Sequence, residues 1–388
     1  MIKYSVTLIL IIFSLVCLTS CWDNVEIDEL ALVMGSGFDI TDEGNLFITI
    51  QIATPTEHKG GRSSIEDDAH DSVLHLTAEG EDGTEVLNRM QQQLSRQIFL
   101  GHRAILVFGD HFATNGLDQV IDLFSRSPDS RFAGNVLTAY KTDAKSILNT
   151  EYPLEDIPSI ALRRMQSEGN SFSITLDEFL SSLARKDKAT ITGAVSVIDG
   201  ISGQFYFINH AAVYRDNRLA GYLDEEQMKI VLWRRGEIEG TYMTLDVMEK
   251  TDEFKGTVGV RFTGGKSVVE VEKKAGKPHI IVNYSGKGLV IENDTPLDLN
   301  EETTVNMVEK GFEKYAKELF EETLSYAQED LQVDIFNFAE EVHIQEPRYW
   351  QEVEDEWGDI FSELKVTFNC DFHIISSGRT DQPSHMEE

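Results

Sequence analysis

Cysteine is scarce in this chain. Among 388 residues there are three, too few for the disulfide framework that holds a small secreted domain together. Positive charge is scarce relative to negative. Lys and Arg number 34 against 67 Asp and Glu, a formal net charge of −33. That deficit argues against nucleic-acid binding, which needs a surplus of Lys and Arg against the phosphates. It equally argues against attachment to anionic lipid by charge alone. Proline occurs only 8 times, and the composition is not that of a collagen, a coiled-coil rod or a disordered chain. No unit of roughly 20–50 residues recurs, which excludes solenoids and propellers. No apolar run reaches the roughly 20 residues a membrane-spanning helix needs.

Sequence signatures of catalysis are also missing. There is no G-x-S-x-G around a serine. Phe262-Thr263-Gly264-Gly265-Lys266-Ser267 has Val260 where a phosphate loop needs its first glycine. A Gly-Gly hairpin turn between two strands accounts for it better. Gly35-x-Gly37 has Ile40 at the third glycine position of a dinucleotide fingerprint. His70 and His75, near Asp67, Asp68 and Asp71, lie at the end of a polar loop, a poor setting for fixed metal ligands. Gly101-His102-Arg103 is the most enzyme-like spot, and a turn with local hydrogen bonds explains it. Neither a metal nor a cofactor is expected.

What is present starts at residue 1. Met1-Ile2-Lys3 precedes an apolar run from Tyr4 to Leu18, and Asp23, Glu26, Asp28 and Glu29 follow it. This is the build of a signal peptide. Leu18-Thr19-Ser20-Cys21 resembles the lipobox of bacterial lipoproteins, in which the bond between Ser20 and Cys21 is cleaved and the Cys21 thiol carries diacylglycerol. Residues 1–20 are then removed together with Cys17. Cys370 is left without a partner, in an alternating strand pattern where a buried, inert thiol is expected.

Along the mature chain, strands and helices alternate up to the charged run Arg185-Lys186-Asp187-Lys188, where a boundary is placed. The expected division is 21–188, an N-terminal α+β domain; 189–256, a middle α+β domain; 257–380, a C-terminal α+β domain; and 381–388, a flexible tail. In the C-terminal part, Thr257–Thr263, Ser267–Lys273, His279–Tyr284 and Gly288–Glu292 read as an antiparallel meander. Asn300 reads as an N-cap. Val305, Val308, Phe312, Tyr315, Ala316, Leu319, Phe320, Leu324 and Ala327 then make the apolar stripe of one long helix covering that meander. Trp350, Val353, Trp357 and Leu364 have helical spacing. Core packing is the plainer reading, and partner contact the sharper one.

Several stretches carry a family resemblance. They are Cys21-Trp22-Asp23-x2-Glu26-Ile27-x2-Leu30-Ala31-x-Val33-x-Gly35-x-Gly37-x-Asp39, Gly101-His102-Arg103, Gly116 to Arg126, Arg131, Ala212 to Leu223, Asp334-Ile335-Phe336 and Trp350 to Trp357. Together they resemble the Ger(x)C family, the C subunits of spore germinant receptors. The resemblance implies a three-domain α+β fold with no assigned catalytic site. It also implies a lipoprotein on the outer face of the cell membrane or of the spore's inner membrane, beside integral-membrane A and B subunits, needed for nutrient-triggered germination. Trp22 and Asp23, next to the lipid, and Trp350 and Trp357 are the expected partner contacts. A solute-binding lipoprotein and a cell-wall enzyme are the competing classes. The first would show two hinged α/β lobes, and the second an ordered set of carboxylates or a metal.

Overall fold

The computed structural model describes residues 26–54, 72–126, 132–168, 171–248, 255–274 and 277–376. The first sheet is nine-stranded. Its strands are β1 (Leu30–Ile40), β2 (Leu46–Ala53), β3 (Val73–Gly80), β4 (Gln97–Phe99), β5 (Ile105–Phe108), β6 (Asn135–Ala139), β7 (Thr190–Gly200), β8 (Gly203–Arg215) and β9 (Arg218–Leu223). They lie in the order β3-β2-β1-β5-β6-β7-β8-β9, with β4 also on β1. The middle strands β1, β5, β6 and β7 are parallel, and the flanks are antiparallel. The sequence dictates this. Ile105-Leu106-Val107-Phe108 is apolar on both faces and buried throughout, as a parallel strand covered on both sides must be.

Helices cover both faces. α1 (Gly83–Gln91), α2 (Asp110–Asn115), α3 (Asp118–Arg126) and α6 (Leu176–Leu183) close one core around Phe38, Phe108, Phe112, Phe124 and Phe179. α4 (Ala144–Leu148) and α5 (Pro158–Glu168) close the other, with Ile105, Val107, Leu137 and Val195. The expected boundary after Lys188 lies between β6 and β7, which pair directly at Leu137↔Gly193.

The second sheet has four strands in the order β10 (Tyr242–Met248), β11 (Lys255–Lys274), β12 (Lys277–Asn293) and β13 (Lys365–Ser376). Its first three strands are antiparallel. β13 returns parallel to β12 after the C-terminal helices, so the meander gains a fourth, parallel strand. The four short strands expected from 257 to 292 are two long ones. Gly264-Gly265 is not a hairpin turn: β11 runs through it, with a register shift between Phe262 and Gly264. The reason is α7 (Glu225–Arg235), which carries Trp233. A Cβ on Gly265 would lie 2.7 Å from Trp233 Nε1, and one on Gly286 2.5 Å from Trp233 Cζ2. These glycines let an indole approach the sheet closely.

α7 is boxed at its start by Asp224 and Gln227 and ends at Gly236 with φ 76°. Met228 to Trp233 are all buried, so this helix is surrounded rather than amphipathic. α8 (Glu302–Tyr326) buries Val308, Phe312, Ala316, Leu319, Phe320 and Leu324, the expected stripe, and packs on β13 and β10. It starts one residue late for an Asn300 cap, because the Asn300 N–H is turned onto Asp298 Oδ1 at 2.9 Å. α9 (Phe338–Gln345), α10 (Pro347–Val353) and α11 (Trp357–Ser362) complete the α-helices among the described residues. Trp350 and Trp357 therefore sit on two short helices, not on one face of a single helix.

Candidate functional site

The charged run after α6 does not enter solvent freely. It faces the segment Gln332–Asp334 and α9–α11, and the two sides enclose a cleft of about 440 Å³ between the sheets. Its lining includes Arg185, Lys186, Asp216, Asp334, Glu354 and Trp357. Arg185 Nε bonds Asp187 at 2.7 Å, and its Nη2 reaches Glu340 at 3.1 Å. Asp187 Oδ2 lies 2.7 Å from His343 Nδ1. Lys186 pairs with Asp355, Arg215 donates to Gln332, and the Ala189 N–H donates to Asn337 Oδ1 at 3.0 Å. The Arg185 guanidinium, then His343, hold the Asp187 carboxyl down at about 2. Asp334 accepts from the Ala339 N–H at 2.7 Å and Trp357 Nε1 at 3.2 Å, while burial pushes its pKa up. Arg185 and Lys186 are thus engaged with carboxylates, across the cleft as well as beside them. The arrangement joins two halves of the molecule.

Ser20, Cys21, Trp22 and Asp23 lie outside the described residues, as do His70 and its neighbouring aspartates. His75 is in β3, with Nε2 2.9 Å from Leu148 O and 3.0 Å from Gln51 Nε2, a packing role. Trp350 and Trp357 are 3% and 5% exposed. Their rings meet edge-on at 5.6 Å, and His343 stacks on Trp350. This corrects the expectation of partner contact at both: indoles of this size fill the core beneath the cleft and leave no face to offer. Arg103 closes the turn Leu100–His102 through its N–H, which donates to Leu100 O at 3.3 Å, but its side chain has another setting. It is buried over the Phe124 ring at 4.9 Å, its Nε and Nη2 lack hydrogen bonds, and burial lowers its pKa to about 10. Cys370 is free, and burial pushes its thiol up to about 12, as an inert thiol should be.

Two features escaped the sequence. Asp39, at the end of β1, is buried and accepts the Ala144 and Lys145 N–H groups at 2.8 and 3.0 Å. Burial outweighs those bonds and raises its pKa to about 6. Nearby, Tyr140 stacks on His210 and meets Tyr222 edge-on, and the Tyr222 hydroxyl donates to Asp110. The signal for Asp39 was a carboxylate closing an apolar strand. Nothing local marked the tyrosines.

Among the described residues, no three His, Cys, Asp or Glu side chains converge as a metal site requires, and no helix is long and apolar enough to cross a membrane. Residues 23–197 match the family described as "Spore germination protein N-terminal domain", and residues 209–378 match "Spore germination B3/ GerAC like, C-terminal". Spore germination protein KC of Bacillus subtilis (strain 168) is 24% identical over 99% of this chain and 98% of its own length. Spore germination protein B3 of the same organism is 22% identical over 94% of this chain and 96% of its own. The crystal structure of the GerBC protein superposes with a TM-score of 0.54 at 19% identity, covering 88% of this chain and 97% of that one. That likeness extends to the α+β fold.

Proposed function

Because the chain belongs to the Ger(x)C family of spore germination proteins, we propose that it is the lipid-anchored C-type subunit of a germinant receptor. It works through contacts with integral-membrane A and B subunits on the outer face of the cell membrane or the spore's inner membrane. The observation that carries this reading is coverage: relatives named as spore germination proteins align over nearly their entire length. The anchor rests on Leu18-Thr19-Ser20-Cys21 at the end of a signal-peptide run. Tethering raises the effective concentration of a weak interface, so a modest affinity suffices. The cleft supports a coupling role without turnover, because Arg185 and Lys186 are already engaged with carboxylates beside and across it.

Acyl chains hold at about 0.8 kcal/mol per buried CH₂, so several chains on one cysteine hold firmly. Cys21→Ala should move the protein out of the detergent phase and abolish lipid mass on the chain. An unchanged membrane fraction, with no lipid on the wild type, defeats the anchor. Replacing Trp22 and Asp23 together should slow nutrient-triggered germination at normal protein abundance, with an unchanged circular-dichroism spectrum. Normal germination in that variant removes this segment from the docking role.

A further inference from the structure

The β7–β8 ribbon outruns the strands beside it. β6 pairs with β7 only as far as Val195, and β9 pairs with β8 only over Ala211–Arg215. Beyond them, Ser196–Gly200 and Gly203–Phe207 pair with each other and with no other described strand. One face of this ribbon is braced. Val197, Tyr206 and Ile208 pack on the α4–α5 core, and the Tyr206 hydroxyl reaches Ile147 O and Thr150 O, both at 3.1 Å. The other face, with Ile198 opposite Phe205 and Ser196 opposite Phe207, looks outward. Ile198 is 46% exposed, Phe207 42%, and Ile201 at the tip fully so. The Tyr152 ring stacks on Tyr206 and meets Phe205 edge-on. Phe205 lies over Gly200, where a Cβ would fall 2.6 Å from its ring. The tip is stiff, apolar and supported from behind.

Charge sets the ribbon apart from the rest of the molecule. Between Val195 and Asn209 the only charged side chain is Asp199, in a chain of net charge −33. Register fixes its position. Gly37 is level with Val107, Leu137 and Gly193 across the parallel strands. Leu30 and Ile201 therefore lie at opposite ends of the sheet, roughly 50 Å apart along the strand direction at about 3.3 Å per residue. The segment from Cys21 to β1 spans at most about 30 Å when extended. A body anchored at Cys21 therefore either stands with the ribbon pointing away from the bilayer or lies along it with both ends in contact.

We propose that the ribbon tip, through Ile198, Ile201 and Phe207, enters the interfacial layer of the bilayer and holds the body flat as a second point of attachment. The proposal rests on the lipid-anchor reading for its geometry. The occupant is lipid because the ribbon tip offers three apolar side chains and a single charge, Asp199. A docking patch for a protein partner would carry a rim of polar and charged groups. The acidic remainder is repelled by anionic headgroups, so the contact is with zwitterionic lipid and is insensitive to salt.

The test uses the full lipidated chain in phosphatidylcholine vesicles. Ile201→Cys is labelled with an environment-sensitive fluorophore, and Glu321→Cys on the exposed side of α8 is the control. Cys21 is blocked by lipid, and the Cys370 thiol is unreactive at neutral pH. Emission at 201 should shift to the blue and fall at least threefold with nitroxide-bearing lipid, while 321 stays unquenched. Water-like, unquenched emission at 201 in a chain that floats with the vesicles overturns the proposal and leaves the anchor standing. A chain that does not float defeats the anchor alone, because a second assay judges the ribbon without it. There, Cys21→Ser protein should bind phosphatidylcholine equally at low and high salt, and Ile201→Asp with Phe207→Asp should weaken binding about tenfold, the worth of one buried apolar side chain. No binding, equal binding by the double variant, or a dimer in light scattering that the double variant abolishes while lipid contact is absent, each overturns it.

Discussion

Asp39 carries a cost that the fold tolerates for the sake of a joint. Its carboxylate ties β1 to the first turn of α4, and Gly109 leaves it room: a Cβ there would lie 1.9 Å from Oδ1. Burial nevertheless raises its pKa from 3.8 to about 6. A carboxyl raised in the folded state holds its proton where the unfolded chain has lost it. Stability therefore falls as pH rises from about 4 to about 6, and the loss is complete above that window. Asp39→Asn keeps an acceptor and discards the titration. Measured by urea midpoints, the variant should gain on the wild type between pH 4 and pH 7 by an amount on the order of 3 kcal/mol. A difference constant over that range shows that the carboxylate is better solvated than its burial implies. In the sequence Asp39 stands as the last residue of the family-resemblance stretch that begins at Cys21, with nothing to mark it as buried. A buried charge is created by what folds over it, and here that is α4, more than a hundred residues later.

Elements were legible where their own periodicity decided them. The stripe from Val308 to Leu324 announced α8, and its buried residues are the ones that periodicity selected. Gly264-Gly265 was misread because a glycine pair serves a turn and a close approach equally well, and only Trp233 on a distant helix distinguishes them. Trp350 and Trp357 were ambiguous for a similar reason: spacing gave one helix, whereas Pro347 and a break at Glu354–Glu356 gave two, both facing inward. The packing of Trp233 can be tested. Trp233→Ala should cost about 3–5 kcal/mol, including its hydrogen bond to Ser285 O at 3.0 Å. Gly286→Ala should cost about 1–3 kcal/mol by crowding the indole, whose Cζ2 is the nearest atom at 2.5 Å. Made in the Trp233→Ala background, Gly286→Ala should cost far less, because the atom it strikes is gone. Strict additivity in denaturant unfolding means the glycine serves the backbone of β12 alone.

At the scale of the whole molecule, the sequence made the α+β class readable, but not how its parts share a core. The charged run at Arg185–Lys188 marks a local change of character, and that is all a composition shift can mark. In space it falls between two paired strands of one sheet. Ile191, Ala211 and Val213 of that sheet belong to the same apolar cluster as Trp233, Val260, Ile280 and Phe372. α7 is the wedge between them, buried on every side. Against this shared core, the ion pairs at the cleft add little, since partly exposed pairs contribute about 0–1 kcal/mol each. The two halves should therefore unfold together. Tryptophan fluorescence is dominated by the second sheet's side, where Trp233, Trp350 and Trp357 lie, while circular dichroism sees both sheets. The two signals should give coincident urea transitions. A chain ending at residue 188 should fail to fold, because it leaves β6, buried on both faces, without the strand that completes its ladder. Separate transitions, or a cooperative melt from residues 21–188 alone, would mean that β7–β9 are an accessory to the first sheet rather than the seam through which both halves hold.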